Sequence, residues 1–194
     1  MSQNIEIEFK NLLKPEEFEK LLHFFSIKEN DFFHQENHYF DTKDFALKNC
    51  GSALRIREKH GKFEMTLKQP AKEGLLETNQ ILSTEEASLA FSGGKLPGGL
   101  IQDLISNMHI SFSNLAYFGS LKTKRAEIGY KNGLLVFDHS YYLKNEDFEI
   151  EYEVDSFLSG QKVFMELLEK HNIPLRKTDN KISRFYEKKQ KRLD

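Results

Sequence analysis

The chain has 194 residues, 39 % of them hydrophobic, which suits one sizeable core and a single domain over 1–194. Its 28 basic and 30 acidic side chains nearly cancel, which argues against a general nucleic-acid binder but leaves room for charges sorted into local patches. A single cysteine, Cys50, excludes an internal disulfide; with no basic-then-apolar leader and no run of about 18 apolar residues, the expectation is a soluble cytoplasmic protein with no membrane partner.

In chain order, the first expected element is a strand over 4–10, "NIEIEFK", where Ile5, Ile7 and Phe9 alternate with Glu6, Glu8 and Lys10. Residues 15–25 predict a helix, with Pro15 in its first turn and acids beside its positive end. Strands follow at 37–41, 53–59, 62–69 and 75–82, with Gly61 where a hairpin needs positive φ. Residues 84–91 predict a helix capped by Ser83, "SGGKLPGG" at 92–99 reads as a flexible loop, and 99–108 is an amphipathic helix. Strand periodicity returns at 115–120, 122–130, 134–142 and 147–155, with Asn132-Gly133 as a turn. Helices over 160–172 and 179–192 follow, the second ending in "EKKQKR", a run expected to be solvated. Nine short strands with few helices predict an α+β fold: an antiparallel sheet, closed or nearly so, with helices packed outside.

The polar faces of these strands carry the chemistry, because residues i, i+2 and i+4 point the same way. Acids gather in two strands, Glu6 with Glu8 and Glu149 with Glu151 and Glu153. Arginines gather in another, Arg55 with Arg57, and further strands add Lys68, Glu77, Arg125 and Glu127. A solvated face is the simplest reading of any one strand, yet surfaces usually mix signs. Asp138, in the otherwise apolar "LLVFDHS", is also oddly placed for an idle surface acid. If the polar faces instead line a barrel, paired glutamates need cations, for which Mg²⁺ or Mn²⁺ suits carboxylate oxygens. Arginine forks on the other walls match phosphate. Together they make the composition needed to hold and cleave a polyphosphate.

The ordered series "EIEFK", "NHYFDT", "LRIR", "TLKQ", "TKRAE", "VFDHS", "EIEYEV" and "NKISRF" resembles the CYTH superfamily, the triphosphate tunnel metalloenzymes, over nearly the whole chain. The likeness is strongest to small stand-alone bacterial members. It implies an eight-stranded antiparallel β-barrel forming a triphosphate tunnel. It implies Glu6, Glu8, Asp138, Glu149 and Glu151 as ligands for Mg²⁺ or Mn²⁺, and Lys10, Arg55, Arg57, Lys68, Arg125, Lys181 and Arg184 as phosphate-binding groups. Glu6, Glu8, Lys10 and Arg57 are the expected catalytic set, while Glu77, Glu127 and Glu153 stay unranked as supporting or second-metal residues. Which of Lys122, Lys124 and Arg125 points inward is open.

The expected activity is metal-dependent hydrolysis of a small-molecule triphosphate by in-line attack of water, without a covalent nucleophile. Cys50 reads as part of an ordinary turn. The chain lacks Trp, on which thiamine-selective relatives stack the ring, so inorganic tripolyphosphate or a nucleoside triphosphate is favoured. Adenylate cyclase and a non-hydrolysing polyphosphate or nucleotide binder are the alternatives. The seven histidines form no zinc-type cluster, and no G-x-x-x-x-G-K-[ST] loop occurs. His38 and His139 are candidates to line or flank the tunnel; Tyr39, Phe40 and Asp41 read as structural, with Asp41 capping the next helix.

Overall fold

Alternation of apolar and charged residues becomes eight antiparallel strands in the computed structural model, which describes residues 2–190. These are β1 (Ser2–Leu13), β2 (Phe33–Asp41), β3 (Ala53–Lys59), β4 (Lys62–Pro70), β5 (Leu75–Leu82), β6 (Ala116–Tyr130), β7 (Gly133–Tyr142) and β8 (Asn145–Val154). They close into a barrel in the order β1-β5-β4-β3-β2-β6-β7-β8. Six α-helices lie outside it: α1 (Pro15–Phe24), α2 (Ala46–Asn49), α3 (Thr84–Phe91), α4 (Leu100–Asn107), α5 (Phe157–Lys170) and α6 (Lys181–Gln190). No helix among the described residues is long and apolar enough to cross a membrane.

The chain gathers into two compact units, one within Met1–Ile5 and Gln35–Leu121, the other within Glu6–His34 and Lys122–Asp194. In the first, α2, α3 and α4 cover the apolar side of β2–β5. Phe40, Leu54, Ile56, Met65 and Leu67 pack there with Leu47, Ile101 and Ile105. The opposite side carries Arg55 paired with Thr66, Arg57 with Glu64, and Lys68 with Glu77. In the second unit, Phe18 and Leu21 of α1 and Phe164 and Leu167 of α5 pack on Leu13, Phe137, Ile150 and Tyr152. The face away from those helices pairs Glu8 with Glu153, Lys10 with Glu151, Arg125 with Asp138 and Asp138 with Glu149. In a closed sheet wrapped by helices, the uncovered face is the inner one. The charges are therefore inside and the apolar residues outside, the reverse of a half-solvated sheet.

The structure departs from the periodicity in several places. The two expected runs at 115–120 and 122–130 are one 15-residue strand, so nine strands become eight. Gly119, with φ +147, lies inside that strand, and Leu121, where the two expected runs part, belongs to it and is buried. Helix α2 is too short to show a helical period. Its first N–H groups are held by Asp41, whose carboxylate accepts from Leu47 (2.9 Å) and Lys48 (3.1 Å). Ser83 does cap α3, accepting from the Glu86 N–H at 3.2 Å. The loop at 92–99 is tied down by Leu96, which is buried in the first core. The expected helix over 179–192 is seen as Lys181–Gln190, and residues 191–192 lie outside the described residues.

Hairpin turns also sit differently. His60-Gly61 takes the left-handed conformation as expected (φ +52 and +70). In the β6–β7 hairpin Lys131 (φ +49) takes that role, while Gly133 pairs with Tyr130 inside the ladder. The β7–β8 turn, Leu143-Lys144 (φ +46 and +56), carries no glycine or asparagine to announce it. Gly133 is required for another reason. A Cβ there would lie 2.5 Å from the Glu153 carbonyl oxygen and 2.7 Å from the Tyr152 ring.

Gly133→Ala is accordingly expected to cost about 1–3 kcal/mol, because a backbone oxygen cannot swing aside. Gly129→Ala, whose added Cβ meets nothing within 4 Å, is expected to stay within about 0.5 kcal/mol. Urea unfolding of the two variants beside the parent checks the contrast.

Candidate active site

The most buried charges of the second unit come from three adjacent strands and one helix. Asp138 on β7 and Glu149 and Glu151 on β8 are 0 %, 1 % and 5 % exposed. Carboxylates removed from water to that extent persist as charges only when paired. Arg125 on β6 supplies one partner. Its Nε and Nη2 donate to the two Asp138 oxygens at 2.7 and 2.6 Å, and Nη2 also reaches Glu151 at 2.9 Å. Helix α6 supplies two more. The Lys181 ammonium meets one oxygen from each acid: Asp138 at 2.9 Å, Glu149 at 2.8 Å and Glu151 at 2.5 Å. Arg184 pairs with Glu149 and, at 3.0 Å, with Asp147. Burial opposes the charge on Glu151, but Lys181 and Arg125 outweigh it and hold that carboxyl well below its usual range. At Glu149 burial prevails over Lys181 and Arg184 and pushes the carboxyl up.

A second acidic group lies along the same face. Glu6 and Glu8 on β1 and Glu153 on β8 each offer a carboxylate oxygen, all within 4.8 Å of one another. Lys10 pairs with Glu8 and donates to Asn180 Oδ1 at 2.6 Å. Arg125 Nη1 reaches Glu127 and Glu153 only at 3.9 and 4.0 Å. Burial, aided by Glu151, Glu6 and Glu8 and opposed by Arg125, pushes the Glu153 carboxyl up to about 7. Clustered hard oxygens with that excess of negative charge are the donor set a divalent cation such as Mg²⁺ or Mn²⁺ fits.

The expected metal set is thus divided. Glu6 and Glu8 meet Glu153, whereas Asp138, Glu149 and Glu151 are held by Arg125, Lys181 and Arg184. Glu153 was legible as the third member of an E-x-E-x-E alternation, but its rank was not, since that depends on the Glu8 pairing across β1 and β8. Lys124 turns the other way, to Glu29 at 2.6 Å and over the Phe32 ring, leaving Arg125 as the inward cation of that strand.

On the first unit the basic residues carry their own counter-ion. Lys68 meets Glu77 at 2.8 Å and Arg55 lies 3.6 Å from the same oxygen. Against the effect of burial, these two cations lower the Glu77 pKa, so Glu77 is the counter-ion of Lys68 and Arg55. Arg57 Nε donates to Asn37 Oδ1 at 3.0 Å, a partner that its amide character did not single out. Arg55 Nε is buried with no acceptor, a donor suited to an anion. His38 stacks on Phe91 at 3.9 Å, and His139 stacks on Phe148 at 4.0 Å and meets Glu146 at 2.8 Å. Both histidines stand on the apolar side of their strands, away from the charged face.

The approach to α6 is stitched in place. Buried Asn11 accepts from the Arg176 N–H at 2.6 Å and donates to the Pro174 carbonyl at 3.2 Å. Thr178 Oγ1 accepts from the Leu12 N–H at 2.9 Å. Arg176 forks onto Glu17 of α1 with two 2.7 Å bonds. This segment delivers Lys181 to the acids.

The family model described as "CYTH domain" matches residues 4–186. A Bacillus subtilis (strain 168) protein named "Putative triphosphatase YjbK" is 50 % identical over 193 residues, covering 100 % of each chain. A Bacillus halodurans crystal structure described as a "putative adenylate cyclase" superposes with a TM-score of 0.92 at 48 % identity, over 96 % of this chain and 100 % of that one. A Hippeastrum structure described as a "putative adenylyl cyclase" with a dominant triphosphatase activity shares the fold (TM-score 0.77, 21 % identity, 94 % and 96 % coverage).

The Arg176 fork lowers the Glu17 pKa, ahead of the opposing effect of burial. A depressed carboxylate contributes stability above its unfolded pKa and loses it as pH falls through the folded one. Glu17→Gln is expected to cost about 1 kcal/mol at pH 7. That deficit should shrink below about pH 4.5, the ordinary value, and close in acid; denaturant unfolding at pH 7 and pH 3 measures it.

Proposed function

The chain belongs to the CYTH domain family, and on that premise we propose that it is a divalent-metal-dependent hydrolase of triphosphates. The observation that carries this reading is the sorting of charge on the inner face. Carboxylates gather at Glu6, Glu8 and Glu153, and the cations Arg55, Arg57 and Lys68 stand on β3 and β4, with Arg55 Nε buried without an acceptor. The half-identical relative named as a triphosphatase supports it. A non-hydrolysing anion binder would have no use for the acidic group.

Glu6, Glu8 and Glu153 would hold Mg²⁺ or Mn²⁺, with Asp138, Glu149 and Glu151 as further oxygen donors. The ion supplies positive charge that offsets developing charge on phosphate oxygens. Arg55, Arg57, Lys68, Lys10, Arg125, Lys181 and Arg184 bind and orient the phosphates, the arginines by their planar forks. Lys10 is kept charged by Glu8, Glu151 and Glu149 despite its burial, so it serves as an anion donor and not as a base. A glutamate of the acidic group orients the attacking water. Positioning and electrostatics account for the rate, and no covalent nucleophile takes part. Inorganic tripolyphosphate is the favoured substrate, since the chain has no Trp to stack a thiamine ring.

A second reading, cyclisation of ATP, is favoured by the description of the Bacillus halodurans structure at 48 % identity. The two differ in whether water or a ribose hydroxyl reaches the phosphorus.

With Mg²⁺ or Mn²⁺ the protein is expected to release phosphate from tripolyphosphate and to stop when EDTA is added. ATP in a parallel reaction, assayed for cyclic AMP, tests the second reading. A folded, metal-replete sample that turns over neither compound would refute the enzyme assignment. Glu8→Ala and Arg57→Ala are each expected to lower turnover about 10²-fold or more with an unchanged circular-dichroism spectrum. Wild-type rates in either would remove that residue from the site.

A further inference from the structure

Lys181 occupies a position shaped for a cation. Its ammonium has three N–H bonds, and each of three acids from two strands presents one oxygen to it, at 2.9, 2.8 and 2.5 Å. Arg184 takes the remaining oxygen of Glu149. Among the described residues, Arg125 from the barrel wall and Lys181 and Arg184 from α6 pair directly with Asp138, Glu149 and Glu151, and Lys10 stands opposite Glu151 on β1.

We propose that α6 carries a built-in stand-in for a divalent cation: the Lys181 ammonium sits among the oxygens of Asp138, Glu149 and Glu151 in the metal-free protein and withdraws when a metal ion takes those oxygens. This rests on the metal dependence proposed above and adds the order of events at the site. The carboxylate oxygens that accept from Lys181 point at its nitrogen, and an ion seated among them at metal–oxygen distances of about 2.1 Å leaves no room for an ammonium. Leaving either occupant out would strand buried like charges, so one replaces the other. The exchange is confined to the start of α6. Phe185 and Tyr186, one turn on, are buried, with Phe185 against Tyr142 at 6.0 Å, and the preceding segment is fastened by Asn11, Thr178 and Arg176. The long lysine stem therefore moves while the helix stays docked, and the freed ammonium becomes a phosphate donor only once metal has bound. The device couples metal loading to completion of the anion site.

The test uses the full chain with Mn²⁺ alone and no phosphate. Mn²⁺ affinity is read by calorimetry for the parent and for Lys181→Met, and the reactivity of Lys181 toward an acetylating reagent is mapped by mass spectrometry with and without Mn²⁺. Lys181 is expected to be protected in the metal-free parent and to become reactive at saturating Mn²⁺. Lys181→Met is expected to bind Mn²⁺ at least about tenfold more tightly, having lost the competitor. Mn²⁺ binding with Lys181 still protected would overturn the exchange while leaving metal-dependent hydrolysis standing, the ion then sitting at Glu6, Glu8 and Glu153. No Mn²⁺ binding by either protein would overturn both. If the variant does not fold, or the two readouts disagree, acetylation of the parent decides.

Discussion

The charged face of the second unit is organised around pairing three carboxylates that are buried away from water. Asp138, Glu149 and Glu151 cannot be there without cations, and the cations come from a strand, Arg125, and from a helix distant in sequence, Lys181 and Arg184. Removing any one partner leaves an uncompensated buried charge, which is far costlier than never having built the pair. The network thus ties β6, β7, β8 and α6 into one arrangement.

That arrangement demands exact register. Arg125 reaches Asp138 because the two face each other across β6 and β7, and Glu149 stands opposite Asp138 on β8. A slip of one residue would turn the whole charged set toward the helices and the apolar set toward the inner face, a reversal no packing could accommodate. Close packing at Gly133, where the chain passes the Glu153 carbonyl and the Tyr152 ring, pins the same hairpin from its end. On the other face, aromatic residues of α1 and α5 complete the lock, with Phe18 against Phe137 and Phe148 and Phe9 against Phe164.

Much of this was legible in the strands. The runs at 53–59 and 75–82 match the observed strands residue for residue. The inversion of charge and grease followed from the sorting of signs, which a solvated surface does not need. Elements without a period were less legible. Asp41 was expected to cap the next helix and does, through Leu47 and Lys48, but the extent of α2 was not legible, nor was the turn at Leu143-Lys144, which is forced by the pairing of its flanks.

Residue types and their alternation determined an antiparallel sheet, closed or nearly so, and which acids and bases share a strand face, because period two assigns each side chain to a face. The eight-stranded, charged-inside tunnel came from the ordered series of motifs that resembles a known family. Only the tertiary structure decided which charge answers which. The three buried acids belong to Arg125, Lys181 and Arg184, Glu153 joins Glu6 and Glu8, and Glu77 serves Lys68 and Arg55. Those partnerships join positions 43 residues apart at Asp138 and Lys181, and 145 apart where Glu8 on β1 faces Glu153 on β8. Coulomb attraction acts on distance in space, and strand pairing and helix docking set that distance.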